Sequence, residues 1–166
     1  MRLRKVGRIA QKLLYAIPAW RTYFWNSHAE RIHAAYGEFA HDYETLAQVI
    51  EDCSPLHLLD FGCGSGRLIP LYLKKGIPNI HCYDVSSEAL SIARRRFPDS
   101  SVHFARSIRE LAGLNIVFDL VVCTRVLQHI PPDEIGEILR RLAGMARRIY
   151  LNEATQPAES FFMFSH

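Results

Sequence analysis

The segment from residue 58 to residue 66 most constrains the fold of this chain, because it joins an apolar run to a glycine-rich turn. It reads Leu-Leu-Asp-Phe-Gly-Cys-Gly-Ser-Gly, and a helical pattern begins near Ser65. Glycine tolerates positive φ and lets a ligand approach the backbone closely. The start of a helix presents backbone N–H groups that have no partner within the helix. The segment therefore predicts a strand, a tight turn and a helix that together can hold part of a nucleotide.

The spacing of the glycines separates two classes of nucleotide. A dinucleotide-binding turn carries glycines at its first and third positions and glycine or alanine at its sixth. Counted from Gly62, the sixth position is Arg67, whose side chain would obstruct close packing of helix against strand. The chain instead has G-x-G-x-G preceded by Asp60. This pattern disfavours a nicotinamide oxidoreductase.

A second acidic residue follows at an informative distance. Residues 80–84 read Ile-His-Cys-Tyr-Asp, which predicts a short strand that ends at Asp84. Asp84 lies 18 residues beyond Gly66, close to the roughly 20-residue offset at which an acid binds ribose in doubly wound folds. A carboxylate there can accept charge-assisted hydrogen bonds from both ribose hydroxyls.

Together these motifs resemble those of the class I S-adenosylmethionine-dependent methyltransferases. The resemblance covers roughly residues 36–155 and includes 118–131, which is similar to the fourth strand of the family and the turn after it. It implies an α/β fold with a doubly wound, mostly parallel sheet, S-adenosylmethionine as cofactor, and a small-molecule methyl acceptor. The cofactor-binding residues that it implies are Asp60, Gly62, Cys63, Gly64, Gly66, Asp84, Val85, Ser107, Ile108 and Thr124.

Two positions bear on the fit to this family. An acidic residue at Asp60 suits the ammonium group at the methionine end of the cofactor. The family often has an acid where Ser107 stands, and that acid binds the adenine amino group. Serine accepts a weaker hydrogen bond, so the adenine contact here can pass to a backbone carbonyl or to water.

His129 is the candidate catalytic residue, because it follows the predicted fourth strand on the side of the sheet where ligands bind. A hydroxyl acceptor needs a proton acceptor, whereas a soft or anionic nucleophile does not. The alternative is a structural histidine that holds the turn before Pro131. No Asn/Asp-Pro-Pro-Tyr/Phe sequence follows this strand, which disfavours adenine N6 or glutamine as acceptor. No residues have the spacing of metal ligands, so no metal is expected.

Three functions stay open at this point. The favoured one is a methyltransferase that acts on a small molecule. If the N-terminal segment binds membrane, a lipid-like acceptor is favoured. The second is a non-catalytic S-adenosylmethionine-binding or scaffold module, that is, a truncated methyltransferase-like domain. The third is the nicotinamide oxidoreductase that Arg67 disfavours.

The charge of the chain is concentrated at its N-terminus. Six basic residues precede Glu30, the first acid, and the remaining 14 Lys and Arg face 17 acids. The main domain is therefore slightly acidic, which argues against a nucleic-acid surface. Residues 1–27 form a basic arm whose apolar residues recur at helical spacing up to Pro18. The arm either docks on the domain, contacts a membrane surface through residues 1–25, or is a transit peptide.

The rest of the chain divides into a helical lid at residues 28–53 and a core at 54–166. We expect strands near 56–61, 80–84, 102–105, 118–123 and 148–152, and helices near 65–75, 87–96 and 132–146. The two last strands of the family are apparently lacking, so either the chain is a shortened form or a fragment, or the edge of a five-stranded sheet is covered in some other way. Because a bare edge would pair with another chain, we expect self-association or instability. The cysteines show no CxxC spacing and the apolar runs are strand-sized, so we expect a cytoplasmic protein without a transmembrane helix.

Overall fold

A computed structural model describes residue 14 and residues 16–36 and 43–153 of the chain. Most of the helix predicted before Pro18 and the C-terminal residues from 154 onward lie outside this range, so the expectations for them stay predictions. Among the described residues, no helix is both long enough and apolar enough to cross a membrane.

The described residues form a five-stranded parallel sheet in the order β3-β2-β1-β4-β5. The strands are β1 His57–Phe61, β2 Asn79–Tyr83, β3 Val102–Ala105, β4 Leu120–Thr124 and β5 Ile149–Asn152. The strand order reverses direction at β1, whose neighbours are β2 on one side and β4 on the other. In open sheets of this kind, ligands bind outside the carboxyl ends of the strands at such a reversal.

Helices cover both faces of the sheet. They are α1 Pro18–Tyr36, α2 Tyr43–Cys53, α3 Ile69–Lys74, α4 Ser87–Arg96, α5 Ile108–Gly113 and α6 Pro132–Met145, and a 3-10 turn spans Leu127–His129. Successive strand residues point to opposite faces, so Leu58 belongs to the core under α2, α3 and α4 while Leu59 belongs to the core under α5 and α6. Burial on both faces explains the nearly continuous apolar strands.

The structure corrects two of the predicted boundaries. The helix expected near 65–75 begins only at Ile69, because Pro70 is tolerated in a first turn but not inside a helix. Pro18 begins a further helix for the same reason, and residues 16–17 before it are a turn and a bend, which agrees with the end predicted there for the preceding helix. The helix that begins at Pro18, α1, runs across the predicted boundary between arm and lid at residues 27 and 28. Helix α5 was not predicted at all.

Candidate active site

The glycine turn after β1 is fastened to the end of β2. Gly62, Gly64 and Gly66 have φ values of +77°, +55° and +83°. The backbone N–H groups of Gly62 and Cys63 both donate to the carbonyl oxygen of Tyr83, at 2.7 and 3.0 Å. The turn therefore needs left-handed backbone at three alternate positions, which glycine supplies without a steric penalty.

The three glycines differ in what surrounds them. A Cβ atom on Gly62 would lie 2.3 Å from Val126 Cγ2, and one on Gly66 would lie 2.7 Å from Ile69 Cδ1. A Cβ atom on Gly64 would meet no described atom within 4 Å. Gly62 and Gly66 are thus required by packing, while Gly64 faces open space that a ligand can enter.

Asp84 ties this turn to the start of α4. Its Oδ2 accepts a hydrogen bond from the Gly64 N–H at 2.9 Å, and its Oδ1 accepts one from the Ser86 N–H at 2.8 Å. Burial raises the pKa of Asp84, while the N–H groups of Ser86 and Gly64 act to lower it. Each carboxylate oxygen has a second lone pair. Asp84 can therefore hold the turn and still accept hydrogen bonds from a ribose.

Asp60 lies beneath the turn instead of lining it. Its side chain is only 2% exposed, and burial raises its pKa to about 7 although the guanidinium of Arg67 acts to lower it. Oδ2 of Asp60 is buried and has no hydrogen-bond partner among the described residues. A cation placed above Asp60 would stabilise its ionised carboxylate. The predicted contact with the ammonium group of the cofactor needs this ionised form.

Arg67 connects the glycine turn to β4. Its Nη2 donates to Thr124 Oγ1 at 3.3 Å, and its backbone carbonyl accepts a hydrogen bond from the Tyr43 hydroxyl at 2.8 Å. The sequence suggested only that Arg67 would obstruct a dinucleotide. The structure shows in addition that its side chain crosses to the end of β4.

Glu153 is a residue that sequence reasoning missed. Its carboxylate follows β5 and accepts hydrogen bonds from the backbone N–H groups of Val126 at 2.9 Å and Gln128 at 3.3 Å. These contacts fix the segment after β4, which carries His129. No local signal identifies such an acid, since its partners lie 25 and 27 residues earlier in the chain.

His129 lies at the carboxyl edge of the sheet, as predicted, in a partly buried position. Its ring centroid is 4.9 Å from that of Trp25, and its Nε2 is 2.9 Å from Nε2 of the Gln128 side chain. Burial lowers the pKa of His129 to about 4. The imidazole is therefore neutral at physiological pH, but it is a weak proton acceptor there.

The remaining predicted contacts surround the same edge. Val85 is 45% exposed directly after Asp84. Ser107 begins α5, where its Oγ accepts a hydrogen bond from the Glu110 N–H at 3.1 Å, and Ile108 packs partly into the core. The Cys63 side chain is buried, so only its backbone can reach a ligand.

Helix α1 extends along this edge and contacts several of the same segments. The Asn26 side-chain oxygen accepts hydrogen bonds from Ser86 Oγ at 2.9 Å and from the Glu88 N–H at 3.3 Å. Nδ1 of His33 lies 3.0 Å from Ser65 Oγ in the glycine turn. The described residues contain no group of His, Cys, Asp and Glu that could hold a metal ion.

A family model described as a methyltransferase domain matches residues 59–148, more than half of the chain. The chain belongs to this methyltransferase family. The predictions of the S-adenosylmethionine-dependent superfamily, of its fold class and of its cofactor are thereby confirmed. The roles of individual residues stay predictions.

A named relative agrees with this assignment. The malonyl-[acyl-carrier protein] O-methyltransferase of Acetivibrio thermocellus is 32% identical over 122 residues, which are 69% of this chain and 42% of that protein. The chain thus spans about two fifths of that relative's length.

Solved structures show the same fold. Magnesium protoporphyrin IX methyltransferase from Synechocystis PCC 6803 with bound S-adenosylmethionine has a TM-score of 0.65 at 22% identity, covering 81% of this chain and 74% of that one. An amino pentose methyltransferase from Micromonospora echinaspora has a TM-score of 0.62 at 21% identity, covering 75% of this chain and 56% of that one.

Proposed function

We propose that the chain binds S-adenosylmethionine at the carboxyl edge of the sheet and transfers its methyl group to a small-molecule acceptor. The observation that supports this most strongly is the open space in front of Gly64, whose N–H is tethered by Asp84. The only glycine of the turn that packing leaves uncovered is the one whose neighbouring carboxylate suits a ribose. This arrangement fits a nucleoside that carries an amino acid.

Different described residues would hold different parts of the cofactor. The backbone of the glycine turn and the buried carboxylate of Asp60 would hold the methionine end, and Asp84 the ribose. Val85 and the segment at Ser107 and Ile108 would contact the base. Thr124, at the end of β4, would lie against the cofactor. When bound, the cofactor supplies an electrophilic methyl group on a sulfonium.

The chain itself contributes mainly alignment, since in-line transfer to a positioned nucleophile gains most from fixed geometry. With a pKa of about 4, His129 is neutral and poorly matched to removing a proton from a hydroxyl at pH 7. The site therefore favours an acceptor that is already anionic or otherwise needs no strong base. His129 then orients the acceptor or the turn around it.

The finer assignments from the sequence remain proposals. They are a lipid-like acceptor, contact of residues 1–25 with a membrane surface, a cytoplasmic location, the absence of a nucleic-acid partner, and self-association through a sheet edge. The proposed self-association would use the outer edge of β5, because β5 pairs only with β4 within the described part of the chain. Size-exclusion chromatography with light scattering would detect that association directly.

Titration calorimetry tests the proposed function. We expect the full chain to bind S-adenosylmethionine and its demethylated product but not NAD. Gly64→Asn should weaken that binding at least about tenfold, because asparagine tolerates left-handed backbone while its side chain fills the open space. Gly76→Asn is the matched control, since Gly76 also has positive φ, at +69°, and open surroundings.

The outcomes of this titration are distinct. A folded chain that binds neither form of the cofactor refutes the proposal. Binding without methyl transfer to any acceptor of a broad panel favours the non-catalytic module. Equal loss of affinity in both asparagine variants would show that Gly64 acts through stability alone.

A further inference from the structure

An opening that shares Thr124 with the candidate cofactor site lies at the carboxyl ends of β4 and β5. It is a small cleft lined by Leu46, Arg67, Leu68, Thr124, Arg125, Tyr150 and Asn152, with room for little more than one water-sized group. The cleft itself therefore admits at most the end of a polar group. The rest of such a ligand would lie outside it, beside the exposed Arg125 side chain.

The described lining of this cleft carries basic groups. It contains the guanidinium groups of Arg67 and Arg125 and, among the described residues, no carboxylate. The buried Asp60 carboxylate interacts with Arg67, and the carboxylate of Glu153 accepts hydrogen bonds from backbone N–H groups of the turn after β4. The exposed positive charge at this opening is therefore that of Arg125, and it favours an anion.

Arg125 holds an uncommon conformation at the mouth of the cleft. Its φ is +61°, in the left-handed region that non-glycine residues rarely enter. The backbone is fixed there by a hydrogen bond of 2.8 Å from the Arg125 N–H to the carbonyl oxygen of Asn152. Its side chain is exposed and makes no hydrogen bond or ion pair with any described residue. By contrast, Arg147, which precedes β5, lies 3.4 Å from the carboxylate of Asp119.

Neutral polar groups complete the lining. The Thr124 hydroxyl accepts a hydrogen bond from Arg67 and keeps its own proton for donation. The Asn152 amide nitrogen lies 3.4 Å from the Tyr150 hydroxyl oxygen, so the hydroxyl hydrogen is also available. The cleft therefore combines charged and neutral donors around one small volume.

We propose that this cleft binds an anionic group of the methyl acceptor, a carboxylate or a phosphate, and that Arg125 determines this specificity. The guanidinium group matches both anions because its N–H donors form a planar fork. The inference rests on the proposed methyl transfer, because the cleft adjoins the glycine turn through Arg67 and Thr124. It narrows the acceptor to molecules that carry a negative group near the methylated atom.

The test uses the full chain saturated with S-adenosylhomocysteine and three small probes. Malonate represents a carboxylate, inorganic phosphate represents a phosphate, and malonamide is the neutral counterpart of malonate. We expect malonate or phosphate to bind at least about tenfold more tightly than malonamide in calorimetry. Whichever anion binds better identifies the class of group.

Arg125→Gln locates the binding. This variant should weaken the preferred anion at least about tenfold and leave the affinity for S-adenosylhomocysteine within about twofold. Arg109→Gln is the matched control, because Arg109 is an exposed arginine on α5, beside the opposite edge of the sheet. It should change neither affinity.

Three results would overturn the inference: no preference for either anion over malonamide, anion binding that survives Arg125→Gln, or a comparable loss of S-adenosylhomocysteine affinity in that variant. The last would assign the cleft to the cofactor. If S-adenosylhomocysteine does not bind at all, the proposed function fails. Titration of malonate and phosphate into the chain without S-adenosylhomocysteine would then still measure anion binding at the cleft separately.

Discussion

Among single residues, Asp84 connects the fold to the proposed chemistry most directly. Its two carboxylate oxygens accept N–H groups from the glycine turn and from the start of α4. Those bonds orient the carboxylate before any ligand arrives, so less ordering is needed on binding. The sequence predicted the position of Asp84 from its spacing. It did not predict the hydrogen bond to Gly64, since residues 20 apart reveal no geometry.

Replacing Asp84 with asparagine should weaken S-adenosylhomocysteine binding by about 1.5–3 kcal/mol, since hydrogen bonds to a charged group are lost. Calorimetry would measure the affinity, and thermal unfolding would show how much the turn itself is destabilised. Asp99→Asn is a suitable control, because the Asp99 carboxylate also accepts the N–H of the residue two positions later, at 2.8 Å, but is exposed. Unchanged affinity in a folded Asp84→Asn variant would remove the ribose role.

The helices and strands differ in how well sequence anticipates them. The five strands were predicted to within two residues at each end, because buried parallel strands are short apolar runs bounded by turn residues. The start of α3 was misjudged although Pro70 marked it. Helix α5 was missed although Ser107 and Glu110 have the spacing of a capping box. Arg125 and Glu153 could not be assigned, because their contacts join separate elements.

Helix α1 is positioned to act as a cover over the candidate cofactor site. Near its start, one guanidinium nitrogen of Arg21, Nη2, donates to both carboxylate oxygens of Glu134 at the start of α6, at 2.8 and 3.0 Å. Trp25, Asn26 and His33 then contact the three segments that follow β4, β2 and β1. A single helix thus connects the loops that would surround the cofactor.

Removing the middle contact should loosen this cover. In Asn26→Ala, we expect faster amide exchange in residues 18–36 and several-fold faster dissociation of S-adenosylhomocysteine. The hydrogen bonds lost with the Asn26 side chain should weaken the cover by about 1 kcal/mol, which corresponds to that change in rate. Stopped-flow fluorescence would give the dissociation rate. Thr22→Ala changes only an exposed hydroxyl bonded within α1 and serves as control. Faster exchange with an unaltered dissociation rate would show that α1 does not cover the ligand.

In the molecule as a whole, three histidines form a row across the sheet. The His81 ring on β2 is 5.9 Å from that of His57 on β1 and 5.0 Å from that of His103 on β3. His81 also meets Phe118 edge-on at 5.3 Å and is only 8% exposed. Burial, assisted by the neighbouring histidines, lowers the pKa of His81 to about 4 from its ordinary 6.5. The folded state therefore requires this imidazole to be neutral.

Acid should destabilise the fold through His81. As pH falls below about 6.5, the unfolded chain takes up a proton that the folded chain resists until about pH 4, so the stability present at neutral pH is lost in that window. The two pKa values correspond to a loss on the order of 2 kcal/mol by pH 5. Urea unfolding between pH 7.5 and 5 would measure it.

His81→Phe separates this residue from the other groups that titrate in the same range. The variant keeps an aromatic ring between His57 and His103 but cannot take up a proton, so its free energy of unfolding should fall less steeply from pH 7.5 to 5. His129, whose pKa is also about 4, should account for part of the remaining slope. His103→Gln, at an exposed position on β3, should keep most of the original dependence. If His81→Phe has the same slope as the original chain, the row of histidines has no role in acid sensitivity, and other groups must supply the proton uptake on unfolding.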